Sequence, residues 1–133
     1  MIVLDTHVLV WLAEGDPSLG TRARKLADRA LLDDELTVSA ISFWEIALLQ
    51  ERGRLQLVQP IVAWRTRLLG WGLTEIPVTG EIGIAAMTLA RFHKDPADRL
   101  ITATALLNGA FVLTADKRIL QWSGKVKKIN ATR

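Results

Sequence analysis

The 133-residue chain contains no cysteine and only two histidines. The absence of cysteine excludes disulfide bridges, zinc sites built from thiolates, and thiol nucleophiles. Two histidines are too few for a histidine-rich metal site. Any bound metal must therefore be held mainly by oxygen ligands, which favours Mg²⁺ or Mn²⁺ over zinc.

Long hydrophobic runs and glycine-rich phosphate loops are also missing. No stretch approaches the roughly 20 apolar residues that span a bilayer. The first apolar residues have no basic segment before them and are interrupted by Asp5 and His7, so no signal peptide is expected. These absences predict a cytoplasmic protein without a membrane anchor. They also disfavour nucleotide-hydrolysis motifs, and neither histidine lies in a recognisable serine-nucleophile motif.

Half of the residues are hydrophobic, so the chain can form a substantial core. Its length predicts one domain that covers residues 1–133. The 17 Lys and Arg residues exceed the 14 Asp and Glu residues, which gives a net charge of +3. A basic frame around acidic residues suits a polyanionic substrate. On charge alone, however, an ordinary basic surface is the better explanation.

Short apolar segments alternate with longer segments of helical periodicity. The predicted strands cover residues 1–4, 37–39, 73–78, 111–114 and 126–129. The predicted helices cover residues 8–13, 21–32 and 42–52, a segment opened by Pro60, residues 81–92, and a segment that ends at Asn108-Gly109; a short helical turn follows Asp116. This order predicts an α/β domain with a mainly parallel central sheet flanked by helices. Ligands of such sheets bind at the carboxyl ends of the strands.

The five tryptophans do not by themselves indicate nucleic-acid binding. Trp64 and Trp71 lie at helical spacing and are predicted to lie in the core or at a dimer contact, as are Trp11 and Trp44. Only Trp122, near the basic tail, remains open as a base-stacking side chain.

Four acids stand out by their positions. Asp5 directly follows one predicted strand and Asp116 lies two residues after another, and either could simply cap the next helix. Glu45 lies on a mostly apolar helix face, where it must be paired, protonated or bound to a cation. A salt bridge to a buried arginine would explain Glu45 alone. Together with Asp98, these acids are explained most economically as a cluster around a divalent cation.

Asp98 lies at the start of a predicted helix, and its role depends on two neighbours. It falls where the acid of a capping box would lie, which would make it a purely structural residue. Asp95 is a good N-cap residue, however, and Pro96 suits the first helical position. These two residues suffice to start the helix, which frees Asp98 to serve as a metal ligand.

Four segments resemble conserved motifs of one family. These are IVLDTH at residues 2–7, SAISFWE at 39–45, HKDPADRLI at 93–101 and LTAD at 113–116. In this order and spacing the chain resembles PIN-domain ribonucleases, in particular VapC-type toxins. The resemblance covers nearly the whole chain.

The resemblance implies a Rossmann-like PIN fold and a Mg²⁺- or Mn²⁺-dependent endoribonuclease, in which metal-activated water cleaves RNA. It also implies a toxin with a cognate antitoxin and a homodimeric form. By motif, the metal-binding and catalytic acids would be Asp5, Glu45, Asp98 and Asp116. The supporting polar groups would be Thr6 and Thr114. Candidate contacts to RNA phosphates, each equally explicable as a solvated charge, are Lys94, Arg99, Lys117 and Arg118.

Two other functions remain open at this point. One is a phosphatase with Asp5 as nucleophile, although such enzymes need a second acid two residues later, where this chain has His7. The other is a non-catalytic nucleic-acid-binding or regulatory module whose acids only cap helices. If removing one acid or the metal abolishes RNA cleavage, the result favours the nuclease over both the phosphatase and the non-catalytic module.

Overall fold

The computed structural model describes residues 1–133, which form five strands and seven helices. The strands are Ile2–Leu4 (β1), Leu36–Ser39 (β2), Thr74–Ile76 (β3), Phe111–Thr114 (β4) and Lys127–Asn130 (β5). The helices are Thr6–Glu14 (α1), Thr21–Leu32 (α2), Ile41–Glu51 (α3), Ile61–Gly70 (α4), Gly80–Met87 (α5), Pro96–Leu107 (α6) and Lys117–Leu120 (α7). The predicted alternation of strands and helices is confirmed.

All five strands run parallel in the order β3-β2-β1-β4-β5. The central strand β1 pairs with β2 on one side and β4 on the other. The chain adds β2 and β3 outward on one side of β1 and then returns to add β4 and β5 on the other side. The carboxyl ends of β1 and β4 therefore flank the crevice in which open parallel sheets bind ligands. The predicted fold class, a Rossmann-like α/β domain, is confirmed.

The side chains of β1 alternate between two cores, as expected for a strand covered on both faces. Leu4 packs in a core with residues of α1, α2 and α4, among them the fully buried Trp64. Val3 faces the other side and packs against Ile101 of α6 and Ile119 of α7. Because both faces are covered, the ligand-binding edge is formed by the residues that follow the strands.

The helix predicted for residues 81–92 ends at Met87, five residues early. The guanidinium of Arg99 donates hydrogen bonds of 2.7–3.0 Å to the backbone carbonyls of Ala86, Phe92 and His93. Arg91 in this segment has a φ of +61°, a left-handed conformation that a helix cannot contain. A tertiary contact from α6 thus replaces the helical hydrogen bonds that the local pattern predicted.

The tryptophans only partly follow the prediction of burial. Trp64 is completely buried, whereas Trp44 is 57% and Trp71 is 50% exposed. Helix α4 ends at Gly70, so Trp71 occupies the C-cap and turns outward, with Arg67 5.2 Å from its ring centroid. A core position is therefore wrong for Trp44 and Trp71, and the alternative of a dimer contact stays a prediction for both. No helix of the chain combines the length and apolar character needed to cross a bilayer.

Candidate metal centre

A chain of hydrogen bonds links the carboxyl ends of β1 and β4. Asp5 follows β1, and its Oδ1 accepts a hydrogen bond from the Thr6 amide at 2.8 Å. The hydroxyl of Thr114, the last residue of β4, donates to Oδ2 of Asp5 at 2.6 Å. The same hydroxyl accepts a hydrogen bond from the Asp116 amide at 3.0 Å. Thr114 therefore holds Asp5 and Asp116 in a fixed relation across the crevice.

The start of α6 positions the third acid. Asp95 caps the helix by accepting a hydrogen bond from the Asp98 amide at 3.0 Å, and Pro96 is the first helical residue. The Asp98 side chain is only 10% exposed. Its Oδ2 lies 2.6 Å from Nε2 of His93 and 3.6 Å from Nη2 of Arg118. The cap role of Asp95 is as predicted, and it leaves the Asp98 carboxylate free.

One pocket of about 240 Å³, which we call the acid pocket, brings all four nominated acids together. Its lining residues are Asp5, His7, Trp11, Glu45, Asp95, Asp98, Ala115, Asp116 and Arg118. Five carboxylates therefore face one small volume, although some of them also cap helices. Capping and membership of the cluster are compatible in this fold.

The closeness of these carboxylates and their burial shift their pKa values. Burial, reinforced by repulsion from the other four carboxylates, raises the pKa of Asp98 to about 8. Burial also raises the pKa of Asp5, although hydrogen bonds from Thr114 and Thr6 oppose the shift. The pKa of Glu45 is raised chiefly by burial and further by the Asp5 charge. The pocket therefore holds an excess of negative charge that a cation would offset.

Arg118 already offsets part of this charge. Its Nη2 lies 2.9 Å from Oδ2 of Asp116, and its amide and Nε donate to Oδ1 at 2.8 Å and 3.2 Å. These contacts hold the pKa of Asp116 below its usual value. The Arg118 side chain is nevertheless 60% exposed, so it can leave the acids without disturbing the core.

His93 is a member of the site that the sequence did not assign. The 2.6 Å distance from its Nε2 to Asp98 requires a hydrogen on one of the two atoms. Burial, and next the charge of Arg118, lower the pKa of His93, so the proton belongs to the pair rather than to a free imidazolium. His93 lies in an irregular segment without periodicity. Its place at the head of the HKDPAD motif was the signal that could have revealed it.

The donors suit a divalent cation that prefers oxygen. Potential ligand atoms of His93, Asp98 and Asp116 all lie within 4.8 Å of one another. Asp5 and Glu45 line the same pocket outside this group. Several carboxylates with a single imidazole fit Mg²⁺ or Mn²⁺. The arrangement could neutralise charge on a phosphate and place a water molecule beside it.

The other nominated residues have different surroundings. Arg99 uses its guanidinium on backbone carbonyls, which gives it a structural role in place of the predicted phosphate contact. Thr6 is buried and donates to Oγ of Ser42 at 2.9 Å. Lys94 and Lys117 are exposed, and their contact with RNA phosphates stays a prediction.

Comparison with known proteins identifies the family. The PIN domain family matches residues 2–125. The chain is also 37% identical over 119 residues to Ribonuclease VapC22 of Mycobacterium tuberculosis, which covers 89% of this chain and 88% of that protein. The chain belongs to the PIN domain family. The resemblance inferred from four motifs is thus confirmed.

The PIN domain also matches solved structures over its whole length. DNA-bound VapBC from Salmonella typhimurium gives a TM-score of 0.71 at 17% identity, covering 97% of this chain and 96% of that one. VapBC-1 from nontypeable Haemophilus influenzae gives 0.71 at 18% identity, covering all of both chains. At these identities the likeness establishes a shared fold.

Proposed function

We propose that this PIN domain is a divalent-metal-dependent endoribonuclease that cleaves RNA phosphodiesters at the acid pocket. The observation that carries the proposal is the convergence of five carboxylates at the carboxyl ends of β1 and β4. The relative named as a ribonuclease, at 37% identity, supports RNA as the substrate. A bound Mg²⁺ or Mn²⁺ would supply a Lewis acid and an activated water molecule.

The side chains of the pocket divide the remaining work. Asp98, Asp116 and His93 are close enough to hold one cation between them. Asp5 is kept in orientation by its hydrogen bonds from Thr114 and Thr6 and would complete the surroundings of a bound cation. Glu45 keeps a raised pKa from burial, so it is suited to take a proton from the attacking water.

The biological role that we propose is that of a toxin whose activity a partner antitoxin protein controls. The named relative and the structural neighbours, which are VapBC and toxin–antitoxin complexes, support this role. A homodimer is part of the same proposal, and the exposed Trp44 and Trp71 offer apolar surface for such contacts. The cytoplasmic location expected from the sequence stays a prediction. Light scattering of the purified protein, with and without the antitoxin, measures both assemblies.

The decisive experiment measures cleavage of a panel of RNAs in Mg²⁺ or Mn²⁺, in EDTA, and with Asp5→Asn. We expect EDTA to abolish cleavage and Asp5→Asn to reduce it by at least about 100-fold. The matched control is Asp34→Asn at the opposite edge of the sheet. Asp34 is exposed and has a φ of +56°, a conformation that asparagine adopts readily. This variant should cleave like the unmodified protein.

Two outcomes would contradict the proposal. Cleavage that survives both EDTA and Asp5→Asn would place the chemistry elsewhere. RNA binding without cleavage of any RNA tested would favour the non-catalytic module. The phosphatase alternative gains no support, because the position of the second acid that it needs is held by the exposed His7.

A further inference from the structure

Two further pockets adjoin the acid pocket on different walls. The first, of about 290 Å³, shares Arg118 with the acid pocket and extends past His93 to Arg91 and Trp122. The second, of about 370 Å³, shares His7 and Trp11 of α1 and extends to Arg54, beyond the end of α3. These are called the Arg91 pocket and the Arg54 pocket. The Arg91 pocket combines two arginines with one tryptophan and has no acid, and the Arg54 pocket combines one arginine and one tryptophan with a single acid, Asp16. The acid pocket between them is strongly negative.

The Arg91 pocket has rigid walls. Nε1 of Trp122 donates to the Ala90 carbonyl at 2.8 Å, and the Trp122 ring meets the Phe92 ring edge-on with centroids 5.1 Å apart. The contacts of Arg99 with the same segment hold it from the other side. The exposed Arg91 side chain makes no hydrogen bond or ion pair with the rest of the chain, so its charge is free for a ligand.

The Arg54 pocket has a more apolar floor. Leu49 and Leu55 line it together with Trp11, and the exposed Arg54 side chain makes no ion pair. Such a surface suits the face of a base, and the guanidinium suits a phosphate. The pocket therefore offers both parts of a nucleotide a complementary surface.

A polyanion that enters a cluster of five carboxylates needs positive charge on either side of it. Arginine binds phosphates through paired donors, and phosphate contacts account for most of the affinity for nucleic acids. Bases enter separate pockets only when they are unpaired, as in single-stranded RNA. Gln121, which also lines the Arg91 pocket, can both donate and accept hydrogen bonds at a base edge.

We propose that a single RNA strand crosses the acid pocket from the Arg54 pocket to the Arg91 pocket. The nucleotides on either side of the cleaved phosphate occupy the two flanking pockets. Arg54 and Arg91 bind their phosphates, while Trp11 and Trp122 form apolar walls beside their bases. This inference rests on the proposed ribonuclease function and adds the path that the RNA takes across the acid pocket.

The test measures affinity for a fluorescently labelled single-stranded RNA, by anisotropy, as a function of salt. Asp5→Asn protein in Mg²⁺ is the background, so that the RNA stays intact. We expect Arg91→Gln and Arg54→Gln each to weaken binding several-fold and to reduce the salt slope by about 0.7, the value of one single-strand phosphate contact. The matched control is Arg22→Gln, because Arg22 is exposed on α2 at a cavity on the opposite edge of the sheet.

A second measurement separates this inference from the proposed function. In the otherwise unmodified protein, Arg91→Gln and Arg54→Gln should raise KM for RNA cleavage and leave kcat nearly unchanged. If Arg91→Gln and Arg54→Gln show the same affinities and salt slopes as Arg22→Gln, the proposed RNA path is wrong, whereas the proposed ribonuclease function is unaffected. Duplex RNA bound as tightly as the single strand would also overturn it. If the unmodified protein cleaves no RNA but the differences in RNA binding persist, the proposed ribonuclease function is wrong and the proposed path of RNA binding is supported.

Discussion

The metal-free acid pocket should destabilise the protein at neutral and alkaline pH, and Asp98→Asn should relieve this effect. The pKa of Asp98 is raised from 3.8 to about 8 by burial and by repulsion from the neighbouring carboxylates. Asparagine has the same shape, cannot ionise, and keeps a hydrogen bond with His93. The variant therefore removes the charge and leaves the packing in place.

The sign and the size of this pH effect on stability follow from the raised pKa of Asp98. Because the folded protein holds this proton more tightly than the unfolded chain, stability present below pH 4 is lost as the pH rises towards 8. Each pH unit in this window costs about 1.4 kcal/mol, so the step from pH 5 to pH 8 costs up to about 4 kcal/mol. Relaxation of the pocket and access of water should reduce the measured cost to about 2 kcal/mol.

Urea denaturation in EDTA at pH 5 and at pH 8 measures the effect as the difference in unfolding free energy between Asp98→Asn and the unmodified protein. From pH 5 to pH 8, we expect the free energy of unfolding of Asp98→Asn to rise by about 2 kcal/mol relative to that of the unmodified protein. Asp34→Asn, the exposed control, should show no such change. Added Mn²⁺ at pH 8 should stabilise the unmodified protein more than the variant. A difference that is the same at both pH values would refute the reasoning.

Three further predictions follow from single contacts. Thr114→Val keeps the shape of the side chain but removes the hydroxyl that orients Asp5, so Mn²⁺ affinity measured by calorimetry should fall about 10- to 100-fold. The loss of both hydrogen bonds of this buried hydroxyl should also lower the free energy of unfolding by about 1–3 kcal/mol. Arg118→Gln removes a cation from the acids, so Mn²⁺ should bind more tightly; equal or weaker binding would show that Arg118 does not compete with the metal. Gly20→Ala would make a Cβ overlap the Arg133 carbonyl, which accepts hydrogen bonds from the first turn of α2, so thermal denaturation should show a loss of about 1–3 kcal/mol. A melting temperature unchanged by Gly20→Ala would contradict that packing.

The fold could be predicted because its signals are local. Three apolar residues in a row, separated by helical periodicity, define β1 and β4, whereas the buried strand β2 is a short run that alternates apolar and polar residues. The end of α5 could not be predicted, because Arg99 draws the backbone of residues 86–93 into hydrogen bonds that no local pattern contains. The same distant contact removed Arg99 from the residues available to a phosphate.

For the site, the sequence by itself determined which residues would stand at its edge. An acid directly after a buried strand, as Asp5 follows β1, must lie where parallel strands end. The Asp95-Pro96 start of α6 fixes the direction of Asp98 through ordinary helix capping. Both results depend on neighbours within a few residues, which the sequence displays directly.

Only the tertiary structure decided how these residues meet. The His93–Asp98 pair, the position of Arg118 between two acids, and the Arg91 and Arg54 pockets all depend on distances between segments that are far apart or irregular. Periodicity and capping signals carry no information about such distances. The charge balance of the pocket is therefore a property of the folded chain, because burial and mutual repulsion arise only when the carboxylates are brought together.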